Sequence, residues 1–325
     1  MKDTQLEICS AREAKLKRAL FRGDQLCLTN PIYFRAVQAL LEELSFGDIG
    51  DGDLTVKALG SANERAAGRV LAKEPGVVAG IDEYSWLLNR AGIRVQPRKK
   101  DGDLLQSDET IAEIDGERGQ LLAYERVGLN LLQRMSGIAT TTRRLQELVH
   151  RCNPGTHVVG TRKTPCGLLD KRAIHLGGGG THRLGLADAI LVKNNHLALL
   201  ADREAEAVCE AVRRAWPFRQ QAGFIEVEVR SKESALAAAR IFRSQEQDSM
   251  ACPCLLLLDN MLPEEVSCVL AALRAESLLE HVLIEVSGNI FEGNMEPYAA
   301  CGVDAISVGA LTHSPRVLDI CQRIQ

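Results

Sequence analysis

The sequence predicts an α/β protein in which a small α+β domain precedes a compact α/β barrel. Three observations predict it: short β-branched runs broken by turn pairs between Arg65 and Glu125, a long apolar-periodic stretch ending near Arg151, and six short apolar runs that then alternate with helical segments. Continuous apolar strands separated by helices describe a parallel sheet buried on both faces. Six or seven such strands in the remaining chain suit a barrel smaller than the usual eightfold one.

Residues 1–30 are polar and mixed in charge, with one short helix at Ala11–Leu20 before the Asn30-Pro31 break, and read as an appended arm. Apolar residues at helical spacing from Tyr33 to Leu44 predict a helix ending at Gly47, and a loop rich in Asp and Gly runs on to Asp53. Strands are expected at Gly68–Ala72, Gly76–Gly80 and Thr110–Ile114, interrupted by a helix near Asp82–Ala91. A long helix from Leu121 to about Arg151 stops at Asn153-Pro154-Gly155. Barrel strands follow at Val158–Gly160, Ala189–Val192, Ile225–Val229, Leu255–Leu258, Val282–Val286 and Ala305–Val308. Helices at Glu204–Ala215, Lys232–Phe242 and Pro263–Leu273 lie between several of them. The expected division is an arm over 1–30, a first domain with the interdomain helix over 31–150, and a barrel with a C-terminal helix over 151–325.

A composition of 46% hydrophobic and 25% charged residues argues for a folded globular chain, and with aromatics at only 4% the aliphatic residues must form the core. The net charge of −4 gives no general attraction to nucleic acid or an anionic membrane, so an anion-binding function needs locally concentrated positive charge. No stretch approaches the roughly 20 apolar residues of a membrane span, and the acids within Met1–Arg22 do not resemble a targeting peptide, so a cytoplasmic protein is expected. The ten cysteines are scattered without C-x-x-C spacing and read as buried, reduced thiols.

Polar groups follow the apolar strands: Arg162 and Lys163, Lys193, Asp259, and Ser287-Gly288. In a barrel the C-terminal strand ends open on one face, so these groups converge although far apart in sequence. Between Gly160 and His196 the bases Arg162, Lys163, Lys171, Arg172, Arg183 and Lys193 outnumber Asp170 and Asp188, a basic patch suited to a small polyanion. Arginines there can grip carboxylates bidentately, whereas lysines act as compact charges. Gly177–Gly180 permits close backbone approach, and the loops at Ser287-Gly288-Asn289 and Ser307-Val308-Gly309 could cradle a phosphate. Glu226 and Glu228 share a strand face, and beside a basic pocket such carboxylates suit ribose hydroxyls or a magnesium ion; one of the two could instead be a structural partner for a barrel base.

From Glu125 to Thr140 the chain resembles the quinolinate phosphoribosyltransferase family, also called carboxylating nicotinate-nucleotide pyrophosphorylase. The likeness continues through Gly160–Thr164, Gly177–Gly179, His182-Arg183, Lys193–His196, Glu226–Glu228, Leu257–Asn260 and Gly302–Ser307, covering roughly residues 45 to 320. It implies a small N-terminal α/β sandwich domain followed by an incomplete, about seven-stranded α/β barrel. It also implies phosphoribosyl transfer from phosphoribosyl pyrophosphate to quinolinate with decarboxylation, giving nicotinate mononucleotide for NAD biosynthesis. The resemblance further implies a homodimer in which Arg126 reaches the neighbouring subunit's site, where Arg162, Lys163, His182, Arg183 and Lys193 surround the quinolinate carboxylates. Glu228 and Asp259 fall on the ribose and Mg2+ side, and Ser287, Gly288, Asn289, Gly309 and His313 on the 5-phosphate. Lys163, Lys193, Glu228 and Asp259 are the expected catalytic residues.

The chain departs from the family pattern at Pro165-Cys166-Gly167, at Asn194 where an acid is usual, and at Asn289 where a glycine is usual. Two alternatives therefore stand beside the main reading: phosphoribosyl transfer to another pyridine or related acid, and a catalytically silent binding protein on the same fold.

Overall fold

A computed structural model describes residues 2–60, 62–245 and 252–325. The chain divides into two units, one made of residues 1–22, 145–162 and 179–310, the other of 23–144, 163–178 and 311–325.

The first unit is the barrel. Its six parallel strands are His157–Val159, Ile190–Val192, Ile225–Val229, Cys254–Asp259, Leu283–Ser287 and Ala305–Ser307. Taken across the sheet, they run 157–159, 305–307, 283–287, 254–259, 225–229, 190–192. Every residue of Ile225–Val229 is buried, as expected of a strand covered on both faces. The seventh position is rudimentary: Gly180 makes a single parallel bridge to Val159. A Cβ on Gly180 would come 2.7 Å from the Val159 side chain, so glycine permits this approach. Helices Glu204–Ala215, Lys232–Gln245 and Pro263–Ala275 follow the predicted order.

Residues 1–30 do not behave as an appended arm. Helix Lys2–Leu20 belongs to the barrel unit, where Leu16, Ala19 and Leu20 join a core cluster with Ala189, Phe224, Leu255, Leu283 and Ala305. Those partners begin or closely precede their strands, so the helix covers the barrel end opposite the strand termini. Arg12 fixes it there, donating to Asp304 at 2.6 Å and to the carbonyls of Leu279 and Val282 at 2.7 and 2.9 Å.

The second unit holds a four-stranded antiparallel sheet in the order 320–324, 65–72, 110–117, 94–97. Burial alternates along most of Arg65–Ala72, so the strand turns one face to the core and the other to solvent. The chain ends in strand Ile320–Ile324, paired with Gly68–Ala72, and not in the expected C-terminal helix. Five residues are too few for a stable helix, whereas pairing with an open strand satisfies their backbone groups.

Helix Pro31–Ile49 starts as predicted, with the Asn30 side chain accepting from the N–H groups of Ile32 and Tyr33. It runs past Gly47 to Gly50, whose φ of 50° and N–H bond to the Phe46 carbonyl end it. The long helix reads as two, Arg118–Ala123 and Glu125–Cys152. Among the described cysteines only Cys254 is buried, and Cys152 and Cys268 are exposed, so the expectation of buried thiols fails for most of them. No helix among the described residues is long and apolar enough to cross a membrane.

Candidate active site

The barrel unit holds two charge clusters, one within its strands and one at their C-terminal ends. The first centres on His182, 7% exposed and held at φ 54°. Its Nε2 lies 3.1 Å from Glu226 and 3.3 Å from Glu285, which project from strands on either side of Cys254–Asp259. Its Nδ1 accepts the backbone N–H of Arg183 at 2.8 Å, and Ser307 donates its hydroxyl to Glu285. Burial would lower the His182 pKa, but the charges of Glu285 and Glu226 prevail and raise it to about 9. Arg183 is also buried, and burial and the neighbouring charge of Arg162 both hold its pKa below the ordinary value.

The second cluster pairs Glu228 with Asp259 at the ends of adjacent strands. Burial and the Asp259 charge push the Glu228 carboxyl up, opposed by the Asn194 N–H and by the charges of Arg230 and Lys193. Arg230 spans the pair, 3.5 Å from Glu228 and 3.1 Å from Asp259. Ser287 donates to Asp259 at 3.2 Å.

In the adjoining loop Gly288 has φ 95°, and a Cβ there would stand 2.2 Å from the Asn260 side chain. Asn289, in the family's glycine position, adopts φ 52°. Asparagine tolerates this region, and here its amide donates to Asn260 at 3.2 Å while its carbonyl accepts from Asn294 at 3.0 Å. Lys193 is exposed after its strand, and Gly309 follows Ala305–Ser307.

Arg126, Lys163 and His313 belong to the second unit. Arg126 opens helix Glu125–Cys152 and is 56% exposed; Lys163 and His313 are also exposed. The Lys163 carbonyl accepts from the Thr312 hydroxyl at 2.8 Å, so the Pro165-Cys166-Gly167 loop begins from a fixed point.

Two members of the predicted basic patch do not serve an anion site. Lys171 and Arg172 are buried, and Arg172 is neutralised at 2.9, 2.8 and 2.9 Å by Glu83, Asp101 and Asp82. Charge counting within one segment cannot see acids arriving from residues 82–101. The glycine run also serves packing, since a Cβ on Gly177 would fall 2.4 Å from the Ala139 carbonyl.

Sequence reasoning passed over Arg230 and Glu285, and it read Ser307 as part of a phosphate loop, whereas its hydroxyl donates to Glu285. Arg230 follows a strand immediately, the same signal that picked out Lys193. Glu285 is a lone charge inside an apolar run, a pattern that burial makes informative.

A parallel barrel with a helix-plugged base, buried His182 and Arg183, and a carboxylate pair at its strand ends is the architecture of an α/β-barrel enzyme for anionic substrates. The chain belongs to the quinolinate phosphoribosyl transferase family: its N-terminal domain model matches residues 53–136 and its C-terminal domain model residues 138–322. It is 35% identical over 288 residues to a probable carboxylating nicotinate-nucleotide pyrophosphorylase of Methanothermobacter thermautotrophicus, covering 88% of this chain and 98% of that one. It is 37% identical over 291 residues to the carboxylating enzyme of Mycobacterium leprae, covering 87% and 93%. The nicotinate-nucleotide pyrophosphorylase structure from Francisella tularensis superposes with a TM-score of 0.74 at 29% identity, covering 90% of this chain and 96% of that one.

Proposed function

We propose that this chain transfers the phosphoribosyl group of phosphoribosyl pyrophosphate to quinolinate and releases carbon dioxide, forming nicotinate mononucleotide. The observation that carries this reading is that the barrel unit holds both a buried Arg183 under the charge of Arg162 and a Glu228–Asp259 carboxylate pair at the ends of adjacent strands. Guanidinium forks match the carboxylates of a dianionic acid, whereas a carboxylate pair suits ribose hydroxyls.

In this reading the pyridine nitrogen forms a bond to the anomeric carbon as the bond to pyrophosphate breaks, through a transition state of oxocarbenium character. The basic groups hold a dianion beside a polyanion whose repulsion keeps them apart in water, and offset charge on the leaving group. Carbon dioxide then departs from the ring carbon next to the quaternised nitrogen, which stabilises the electron pair until that carbon takes a proton. Lys163 and Lys193 supply compact positive charge, with Ser287, Gly288, Asn289, Gly309 and His313 around the 5-phosphate.

Glu228 and Asp259 are hard oxygen donors whose charges oppose one another, a donor set that fits Mg2+. When bound, the ion would offset diphosphate charge.

The reading includes a cytosolic homodimer with Arg126 completing the partner's site. Ile32, Phe46, Leu54 and Leu59 are 76%, 77%, 79% and 74% exposed, large apolar side chains that a second copy could cover.

The test is incubation of pure protein with quinolinate, phosphoribosyl pyrophosphate and magnesium. Nucleotide and carbon dioxide in equal amounts support the reading. Turnover only with another pyridine acid, or binding without turnover, overturns it.

A further inference from the structure

The Glu228–Asp259 pair already carries a cation from its own unit. Arg230 follows strand Ile225–Val229, and its guanidinium lies against both carboxylates. Its Nη2 is 3.5 Å from Glu228 Oε1 and 3.1 Å from Asp259 Oδ2, and its Nε is 3.3 Å from the same Asp259 oxygen. The backbone beneath it is fixed. Glu204, the first residue of helix Glu204–Ala215, accepts the Arg230 N–H at 2.9 Å and the hydroxyls of Ser231 and Ser234 at 3.1 and 2.6 Å. Ser231 in turn accepts the Ser234 N–H at 3.1 Å, where helix Lys232–Gln245 begins. The side chain is held less firmly: it is 51% exposed, and its three bonds are longer than the roughly 2.7–2.9 Å of a tight charge-assisted one.

Asp259 Oδ2 also accepts the Asn260 amide at 2.9 Å. A carboxylate oxygen offers two lone pairs, so with Nε, Nη2 and Asn260 all directed at it this oxygen has no place for a metal ion. Asn260 is anchored by its own N–H on the Ser287 carbonyl at 2.9 Å and by the Asn289 amide at 3.2 Å. Arg230, on a long and half-exposed side chain, is therefore the donor that can move, and an ion on the pair would repel it. A displaced guanidinium keeps its charge and needs another anion within reach of its fixed backbone. Diphosphate oxygens, brought in with the ion, match its planar fork.

We propose that Arg230 is a diphosphate-binding residue that acts by exchange: it cedes the Glu228–Asp259 pair to Mg2+ and turns its guanidinium to the diphosphate of phosphoribosyl pyrophosphate, and then to the pyrophosphate that leaves. This rests on the reading of the acid pair as Mg2+ donors. Before substrate arrives, Arg230 keeps two neighbouring carboxylates from standing without a counter-charge. During transfer it sets a positive charge on the leaving group as negative charge develops there.

The experiment measures two affinities in the whole protein: that for Mn2+ alone, standing in for Mg2+ and read as free ion by electron paramagnetic resonance, and that for pyrophosphate in saturating Mg2+, read by calorimetry. Exchange makes one substitution move them in opposite directions. Arg230→Ala should bind Mn2+ about fivefold more tightly, because a competing cation is gone. It should bind pyrophosphate about 30-fold more weakly, because a charge-assisted contact is gone. A pyrophosphate affinity that rises or stays the same makes Arg230 a competing cation only and overturns the proposal. Weaker binding of both makes it a structural support, and weaker pyrophosphate binding with unchanged Mn2+ makes it an anion contact without exchange; either result overturns the proposal too. Should the Ala variant fail to fold, Arg230→Gln, whose amide still donates to Asp259, carries the same two directions. Asp259→Asn is the control: unaltered Mn2+ affinity there means that the metal reading of the pair fails, and the exchange with it. Weakened Mn2+ binding there, alongside an unshifted pyrophosphate affinity in Arg230→Ala, rejects the exchange alone.

Discussion

Arg134 grips the fully buried carboxylate of Asp170 with two parallel hydrogen bonds, Nε to Oδ1 at 2.8 Å and Nη2 to Oδ2 at 2.7 Å. Asp170 also accepts the hydroxyl of Thr164, the residue after Lys163, and Thr164 Oγ1 takes the N–H groups of Cys166 and Gly167 at 3.0 and 3.1 Å. The Lys163 loop is thus tied to one buried charge pair. Asp170→Asn leaves Arg134 without its counter-charge and should lower unfolding free energy by about 3 kcal/mol. Urea denaturation checks it, and an unshifted midpoint refutes it.

A second buried charge sets a pH dependence. Glu83 accepts from Tyr33 at 2.7 Å and faces Arg172, but its second oxygen has no hydrogen-bond partner in the structure. Burial raises its pKa from 4.5 to about 7, against the pull of Arg172. A folded-state pKa above the unfolded one means that the native state binds more protons in this window. The group's contribution is therefore present below about pH 4.5 and is lost as pH rises through about 7. Glu83→Gln should remove this component, so wild type should lose stability relative to the variant between those values. Parallel stability–pH curves for the two proteins would show the assignment to be wrong.

Much of the fold was legible because its signals are local. The residues of Ile225–Val229 form one apolar strand interrupted only by Glu226 and Glu228, and the structure gives that strand the predicted bounds. The Asn30-Pro31 break likewise marked the helix start. Three features depend on distant partners and were not legible. The plug formed by Leu16 and Leu20 needs the barrel core, the final strand needs the open edge of Gly68–Ala72, and the neutrality of Arg172 needs Glu83, Asp82 and Asp101. At the strand ends the same rule pointed to Asp259 and Lys193 but stopped one residue short of Arg230. It missed Glu285, which lies within its strand and not at the end.

Arg230 bears on the proposed magnesium dependence, because it occupies the carboxylates that would meet the ion. Asp259→Asn removes a charged oxygen donor and should raise the magnesium needed for half-maximal turnover by about tenfold. Arg230→Ala removes a competing cation and should shift that requirement downward. Superimposable magnesium titrations of the three proteins would exclude a metal role for this pair.

The last prediction concerns Arg126, whose guanidinium is more than half exposed and lies 4.0 Å from Glu125. If it completes the partner's site, as the family resemblance implies, Arg126→Ala should be inactive while folded and dimeric, and so should Lys163→Ala. Mixing the two under conditions that exchange subunits should restore turnover. A heterodimer then carries both substitutions in one site and neither in the other. Random pairing at equal concentrations makes about half the dimers mixed, and each mixed dimer has one intact site of two, so recovery should approach roughly a quarter of wild-type activity. Were both residues to act within their own subunit, every site in the mixture would carry one substitution and none would recover. Labelled subunits establish that exchange has occurred, and confirmed exchange without returning activity rules out the shared site.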